Sequence, residues 1–279
     1  MIRLDRYHAS MTDYVVQLAT AIEAARIAGG IILQGLDAEL QISDKGSSNN
    51  LVTQIDTACE AAIIGHITTT FPDHDFLAEE ASYPDTGGDW LWIIDPLDGT
   101  TNFIKGIRYF SVSIALAEKA TGKIVAGVVY NPVSTELFYA TAGGGAWLSE
   151  GGAAPRQLQA SPNTSLEGSL FITGFYYDRG EAMRRTLRQI QVFLEGGAMD
   201  VRRFGSAALD LCMVAAGRVE GFWEHTLHPW DFAGASLIAA EAGCIVSDEI
   251  GQPLVFEKSY VVVAPPVIHR IMLPLLAGV

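Results

Sequence analysis

The sequence is most constrained at one point, where a buried strand runs directly into a cluster of acidic, glycine and hydroxyl residues. Four apolar residues, 91–94, predict a strand that is covered on both faces. The segment 95–103, DPLDGTTNF, follows at once. A carboxylate at the end of an apolar strand is costly unless it is paired, and a bound cation would offset that cost. We therefore expect the chemistry of this chain at the end of this strand.

Each residue type in the segment has a physical reason to be there. Pro96 fixes its own φ and stiffens the turn, so that Asp95 and Asp98 can be directed towards one point. Gly99 lets the backbone approach a ligand closely, and the two threonines after it could begin a helix whose free N–H groups face an anion. A simple turn is the competing interpretation, since Asp, Pro and Gly all favour turns. The apolar strand before the segment and the hydroxyl pair after it favour a metal and phosphate site.

Composition and charge exclude several classes of protein. With 49% hydrophobic and 18% charged residues in 279, the chain is typical of a soluble globular protein. Its net charge of -14 argues against binding nucleic acid through its general field, so we expect no nucleic-acid partner. We find no secretory leader and no uninterrupted apolar run of the ~20 residues that a membrane span needs. Cys59, Cys212 and Cys244 are widely spaced, as buried thiols of a reducing compartment are. These features predict a cytoplasmic protein that does not bind membranes.

The segment 92–103 resembles the metal-binding signature of the inositol monophosphatase family, the magnesium-dependent, lithium-sensitive phosphomonoesterases. Four further blocks resemble the family in the same order and at similar spacings: Leu51-Val52-Thr53 with Asp56, Ala78-Glu79-Glu80, Gly205-Ser206-Ala207-Ala208, and Trp230-Asp231-Phe232-Ala233-Gly234. Together the blocks cover nearly the whole chain.

The resemblance implies a set of site residues. The implied metal ligands are Glu79, Asp95, Asp98 and Asp231, with the backbone carbonyl of Leu97. Asp56 and Thr100 would orient the attacking water, and Glu79 would act with them. The implied substrate contacts are the N–H groups of Gly99 and Thr100 together with Ala207, Glu224 and Asp98, and a lysine loop would add Lys45. The implied cofactor is Mg²⁺, two or three ions per site, with Mn²⁺ as a substitute.

Several of these residues have another interpretation in the sequence alone. Neighbouring side chains of a strand point to opposite faces, so only one of Glu79 and Glu80 can face the site, and only the resemblance selects Glu79. Asp231 could merely favour a helix start, and the polar segment around Lys45 could be a solvated loop. Zinc is disfavoured at His225 and His228, because hard oxygen ligands without cysteine suit magnesium or manganese.

Periodicity predicts the organisation of the chain. A long amphipathic helix is expected from 11 to about 36, capped by Ser10 or Thr12, and an antiparallel sheet over 107–149. Residues 150–155 have the composition of a linker, and strands and helices alternate beyond it, which indicates an α/β arrangement. We therefore predict domains at 1–149 and 150–279. The resemblance implies an α+β or α/β fold, the layered αβαβα sandwich of the inositol monophosphatase and fructose-1,6-bisphosphatase type, usually as a homodimer.

The expected function is Mg²⁺-dependent hydrolysis of a small phosphorylated metabolite, with inositol 1-phosphate first. Alternatives on the same fold are a fructose-1,6-bisphosphatase, a histidinol-phosphatase or a 3′-phosphoadenosine phosphatase. The last is weakened because the Ser-Arg-Ser-His pattern of nucleotide phosphatases is missing from the aromatic segment 175–179, where substrate selection is expected. A different class of function is a regulatory binding protein with secondary phosphatase activity.

Overall fold

The computed structural model describes residues 14–47, 50–175 and 179–278. The helices are α1 Val15–Gly35, α2 Gln54–Thr70, α3 Thr100–Ile104, α4 Glu181–Glu195, α5 Ala207–Ala215, α6 Pro229–Glu241 and α7 Pro266–Ala277. The strands are β1 Ile42–Ser47, β2 Asn50–Thr53, β3 Asp75–Ala78, β4 Trp90–Asp98, β5 Ser111–Glu118, β6 Lys123–Asn131, β7 Glu136–Thr141, β8 Ala146–Glu150, β9 Arg156–Gln157, β10 Leu170–Thr173, β11 Asp200–Arg202, β12 Gly221–Leu227, β13 Ile245–Ser247 and β14 Ser259–Ala264.

Two sheets form the framework. The first has seven strands in the order β3-β4-β5-β6-β7-β8-β9, and all its neighbours are antiparallel except β3 and β4. The second has five strands in the order β11-β10-β12-β14-β13, with β10 parallel to both of its neighbours. Strands β1 and β2 form a separate hairpin.

Helices cover both sheets and fill the space between them. Helices α1 and α2 pack together on one face of the seven-stranded sheet, and α5 and α6 lie between the two sheets. Helices α4 and α7 cover the far face of the five-stranded sheet. The layers are therefore α, β, α, β, α, which confirms the predicted sandwich.

A glycine contact fixes α6 against the seven-stranded sheet. A Cβ atom on Gly127 of β6 would lie 2.5 Å from the backbone oxygen of Gly234 in α6, so only glycine permits this approach. The helix is therefore seated directly on the sheet backbone. Its first turn, which carries Asp231, is placed near the end of β4 by this packing.

Helix α1 is the one described helix long and apolar enough to cross a membrane by length and composition alone, with 21 residues and a mean hydropathy of 1.5. No membrane-spanning segment was identified from the sequence. In the structure one side of α1 is packed against α2 and the seven-stranded sheet, with Ala24, Ala28 and Ile32 fully buried. The apolar residues of α1 therefore form part of the protein core.

The structure differs from the predicted elements in several places. The first helix begins at Val15, after Tyr14 at its cap position, and the caps predicted at 10 and 12 lie outside the described residues. The segment predicted as a solvated loop contributes the hairpin β1–β2. The short strands β9 and β13 were not predicted, because two or three residues are too few to show a periodicity.

The domain division at 149 and 150 stays a prediction. Strand β9 pairs with β8, so the seven-stranded sheet continues past the linker composition to residue 157. All three cysteines are buried and free, as expected.

Candidate active site

A bulge in β4 aims two carboxylates into one cavity. Asp95 pairs with Ser113 of β5 and Asp98 pairs with Ser111, so two residues of β4 stand opposite one of β5. On a regular strand, residues three apart point to opposite faces, and one extra residue reverses this. Strand β4 therefore continues to Asp98, through residues that were predicted to form a turn. The bulge, and not a turn stiffened by Pro96, directs the two carboxylates to one side.

The cavity has a volume of about 290 Å³ and is lined by carboxylates from four parts of the chain. Glu79 follows β3, Asp95 and Asp98 end β4, Glu224 lies on β12 and Asp231 begins α6. The other predicted residues on its wall are Leu97, Gly99, Thr100 and Ala207. The structure thus brings to one place acidic groups that are up to 152 positions apart in sequence, by the difference between 79 and 231.

Asp56, Lys45 and part of the selection segment are not among the described residues of the cavity wall. Asp56 is not on the cavity wall but lies behind Thr100. Lys45 belongs to β1, and its side chain lies outside the described part of the chain. Of the selection segment 175–179, Phe175 lines the cavity, and 176–178 lie outside the described residues.

Glu79 and Glu80 follow the end of β3 and have different surroundings. Glu79 faces the cavity, whereas the backbone N–H of Glu80 donates to the carboxylate of Glu60 at 2.8 Å. The structure therefore places Glu79, and not its neighbour, beside the acidic residues of β4.

Asp98 is held by the start of α5. Its carboxylate accepts hydrogen bonds from the N–H groups of Ala207 and Ala208, at 3.1 and 2.8 Å, and from the hydroxyl of Ser206 at 2.5 Å. Burial nevertheless raises the pKa of Asp98 to about 6, and the negative charge of Glu79 acts in the same direction. Ala207, a predicted substrate contact, lines the cavity, and its backbone N–H is engaged with Asp98 in this structure.

Asp56 connects the helix α2 to Thr100. Its Oδ2 accepts from the backbone N–H and the hydroxyl of Thr53, at 2.9 and 2.6 Å, in a capping box. The N-cap of α2 is therefore Thr53, and Asp56 is the third residue of the helix. Its Oδ1 lies 2.9 Å from the Thr100 hydroxyl, which also lies 3.1 Å from the Leu97 carbonyl. Because a hydroxyl donates only one hydrogen, the oxygen of Thr100 keeps lone pairs for a water molecule.

Asp231 and Glu224 carry strongly perturbed carboxyl groups. Burial raises the pKa of Asp231 well above its usual range, and the charges of Glu79 and Asp98 add to the effect. Asp231 also accepts the N–H of His228 at 2.7 Å, as the third residue of α6. Burial raises the pKa of Glu224 to about 8. Glu224 lies in the middle of β12.

Gly174 makes room for Glu224. A Cβ atom at position 174 would lie 1.9 Å from the Oε2 atom of Glu224, so the carboxyl group rests against the glycine backbone. Sequence reasoning did not find this residue. The only indication of Gly174 in the sequence is that it directly follows the apolar segment that forms β10.

The donor set fits a hard divalent cation. Every implied side-chain ligand is a carboxylate, and oxygen donors are those that Mg²⁺ and Mn²⁺ prefer. In the described ranges, no three His, Cys, Asp or Glu side chains are arranged as a metal-holding group. Asp98 and Asp231 instead accept protein N–H groups. Burial is the main cause of the raised pKa values of Asp98 and Asp231, the charge of Glu79 adds to it, and a bound cation would offset both effects.

The two histidines have separate surroundings. His228 lines the cavity and stacks on Trp230 with 4.7 Å between ring centroids. His225 is buried beside Gln189 and Tyr260. They face different parts of the molecule, so the pair does not form a shared zinc site.

Comparison with known proteins decides the family. The model of the inositol monophosphatase family matches residues 13–278. The chain belongs to the inositol monophosphatase family. It is thus a member of a phosphatase-type family, as the motif resemblance implied.

Other members of the inositol monophosphatase family are similar over most of their length. The chain is 44% identical to Nus factor SuhB of Escherichia coli strain K12 over 237 residues, which are 84% of this chain and 85% of that protein. The crystal structure of the extragenic suppressor protein suhB from Bartonella henselae matches with a TM-score of 0.86 at 36% identity, covering 94% and 98% of the two chains. The IMPase of Thermotoga maritima matches with a TM-score of 0.84 at 32% identity, covering 95% and 98%.

The names of these relatives contradict one of the predictions about partners. Relatives at 42–44% identity are called Nus factors, a name given to transcription factors, so the prediction of no nucleic-acid partner is wrong. The net charge of -14 was an insufficient ground for it. Net charge describes the attraction of phosphate to the whole surface, and it does not bear on association through protein contacts.

Proposed function

We propose that this chain hydrolyses small phosphate monoesters in a Mg²⁺-dependent reaction, and that inositol 1-phosphate is the first substrate to test. The observation that carries the proposal is the meeting of Glu79, Asp95, Asp98 and Asp231 in one cavity beside Thr100. Membership of the inositol monophosphatase family supports it.

The acidic residues would hold the cations. Glu79, Asp95, Asp98 and Asp231, with the carbonyl of Leu97, are the proposed ligands for Mg²⁺ or Mn²⁺. When bound, such ions supply an activated water at neutral pH and offset the charge of the phosphate. No nucleophilic serine or cysteine is required, and all three cysteines are buried in the structure.

Asp56 and Thr100 would orient the attacking water. Asp56 accepts the Thr100 hydroxyl hydrogen, and the Thr100 oxygen is then available to accept a hydrogen bond from water on the cavity side. The N–H groups of Gly99 and Thr100 would hold the phosphate oxygens. Gly99 has φ of +99°, which orients the start of α3 towards the cavity. Glu224 would contact a hydroxyl of the leaving group.

The proposal is tested by phosphate release from a panel of monoesters. The panel contains inositol 1-phosphate, fructose 1,6-bisphosphate, histidinol phosphate and 3′-phosphoadenosine phosphate, each with and without Mg²⁺ and Li⁺. We expect Mg²⁺-dependent release that Li⁺ inhibits and that is lost in Asp95→Asn. Asp37→Asn, at an exposed position far along the chain from the site, is the matched control and should keep the activity. Release that ignores both Mg²⁺ and Asp95 would contradict the proposal.

A second candidate function is a regulatory binding role, which is favoured by the name Nus factor of the relatives. The two roles are separable, because the acidic residues lie inside a cavity and a partner would bind the surface. If the regulatory role is the primary one, Asp95→Asn should lose phosphatase activity and still complement deletion of the native gene. Cytoplasmic location and a homodimer are parts of the same proposal, and fractionation and sedimentation would check them.

A further inference from the structure

The cavity has one cationic side chain among its carboxylates. Of the described residues on its wall, Arg203 alone is a lysine or arginine, against five acidic residues. Arg203 is exposed and makes no ion pair or side-chain hydrogen bond with any residue that the structure describes. Its neighbour Arg202, by contrast, is paired with Asp200. Arg203 is therefore a guanidinium at the cavity whose N–H donors have no side-chain or ion-pair partner within the described ranges.

The guanidinium of Arg203 lies against the backbone of a glycine. A Cβ atom on Gly205, where φ is +93°, would lie 2.4 Å from the Nη1 atom of Arg203, so the guanidinium rests against that glycine. The backbones of Gly205 and Gly99 are also close to each other. A Cβ atom added to Gly99 would lie 3.2 Å from the backbone oxygen of Gly205. The guanidinium thus lies on the part of the cavity wall formed by Gly205 and the backbone near the start of α3.

The charge of Arg203 also affects Glu224, which lines the same cavity. Its positive charge lowers the pKa of Glu224 against the larger effect of burial, which shows that the two groups share one electrostatic environment. Both side chains line the cavity, and no ion pair between them is found among the residues that the structure describes. A leaving group held by Glu224 would therefore come under the influence of the positive charge of Arg203.

We propose that Arg203 is a specificity-determining residue that binds a second anionic group, such as a second phosphate, on the leaving group of the substrate. This inference rests on the proposed phosphatase function. A guanidinium binds phosphate through two parallel N–H donors. Glu224 is the one acidic residue on the described cavity wall that is not a proposed metal ligand, and its charge would repel a second phosphate on the leaving group unless a cation faced it. A neutral polyol needs no such cation. Arg203 should therefore matter for bisphosphates more than for monophosphates.

The test compares two substrates that differ only in the second phosphate, fructose 1,6-bisphosphate and fructose 1-phosphate, with wild type, Arg203→Ala and Arg203→Lys. We expect Arg203→Ala to lower kcat/KM for the bisphosphate by about 10- to 100-fold, the size of a lost charged hydrogen bond, mainly through KM. For the monophosphate the change should stay below about 3-fold, because no partner of Arg203 is lost. Arg203→Lys keeps the positive charge but lacks the two parallel N–H donors, so its loss of kcat/KM for the bisphosphate should be intermediate.

Arg202→Ala is the matched control. It removes the same charge from the neighbouring position, and its partner Asp200 is not on the cavity wall. It should leave the ratio of the two kcat/KM values unchanged.

An equal loss for both substrates in Arg203→Ala, or no loss for either, overturns the inference. So does a wild type that hydrolyses the monophosphate but not the bisphosphate. Failure of the phosphatase proposal itself looks different, since the wild type would then release no Mg²⁺-dependent phosphate from any ester. Thermal unfolding of each variant confirms that the fold is intact.

Discussion

The hydroxyl of Ser206 donates a 2.5 Å hydrogen bond to the carboxylate of Asp98, across 108 positions of sequence. The bond joins the end of a strand in the seven-stranded sheet to the start of α5 between the two sheets. Ser206 is fully buried and also lies 3.2 Å from the hydroxyl of Ser111. The orientation of a proposed metal ligand thus depends on how two distant parts of the chain are packed.

Ser206→Ala should weaken the site without dismantling it. The carboxylate of Asp98 keeps the N–H groups of Ala207 and Ala208 but loses its hydroxyl donor, and we expect activity to fall about 10-fold. The apparent affinity for Mg²⁺, measured from the concentration dependence of activity, should fall as well. Ser206→Thr keeps a hydroxyl and should recover most of both.

Ser247→Ala is the control for Ser206. It also removes a buried serine hydroxyl, one that contacts His269 and the backbone of Asp248. It should lower the melting temperature while leaving the Mg²⁺ dependence as in the wild type. A similar change of Mg²⁺ dependence in both variants would show that the Ser206 effect is only a loss of stability.

Thr100→Val should impair the chemical step. Valine has nearly the shape of threonine but cannot donate to Asp56 or accept from water, so kcat should fall by at least about 100-fold while KM changes little. Thr100→Ser restores the hydroxyl and is expected to retain most of the activity. Steady-state kinetics with a saturating monoester separates the two parameters. A Thr100→Val variant with the kcat of the wild type would contradict the proposed role.

Gly174→Ala should displace Glu224. The added methyl group would overlap the carboxyl group, whose Oε2 is 1.9 Å from the ideal Cβ position, so either the side chain or the strand must move. We expect KM to rise for substrates whose leaving group carries hydroxyls. Gly30→Ala in α1, where a Cβ meets nothing within 4 Å, is the control and should stabilise the helix by about 0.5–1 kcal/mol without a kinetic effect.

Acid should weaken one ion pair away from the cavity. The Lys119 ammonium, 2.7 Å from Asp75 Oδ2, holds the pKa of that carboxyl well below its usual range, and N–H and hydroxyl donors of Thr86 add to this. A depressed carboxyl pKa stabilises the fold above the unfolded value of about 3.9 and stops doing so as the pH falls through the folded value.

The measurement is urea unfolding of wild type and Lys119→Met between pH 7 and pH 2. The free-energy difference between them should be constant down to about pH 5 and shrink below it, as the unfolded chain begins to bind protons at Asp75. A difference that grows on acidification would contradict this assignment. Lys123→Met, nearby on β6, serves as the charge-matched control.

The sequence predicted the main helices and strands, and Asp95 and Asp98 of the site, because these have local signals, whereas the layered sandwich was implied by the family resemblance. Apolar runs and their periods located the main elements, and Asp95 and Asp98 stood out against the strand before them. The family motifs added Glu79 and Asp231, which ordinary helix and strand rules would have left as a strand end and a helix start.

What the sequence could not show depends on contacts between distant segments. The hydrogen bond from Ser206, the place made for Glu224 by Gly174, and the position of Arg203 beside Gly205 arise only when the sheets are packed. The partner prediction failed for another reason. Net charge is a property of the whole molecule, and association with a transcription complex can depend on a small surface.

The bulge in β4 makes the site separable from the fold. Pro96 and Leu97 together face one residue of β5, and a chain one residue shorter here would restore ordinary alternation. Both sheets and their helices could assemble as before, while Asp98 turned away from Asp95. A single codon in this strand thus distinguishes a molecule able to gather cations from an inert scaffold of the same shape.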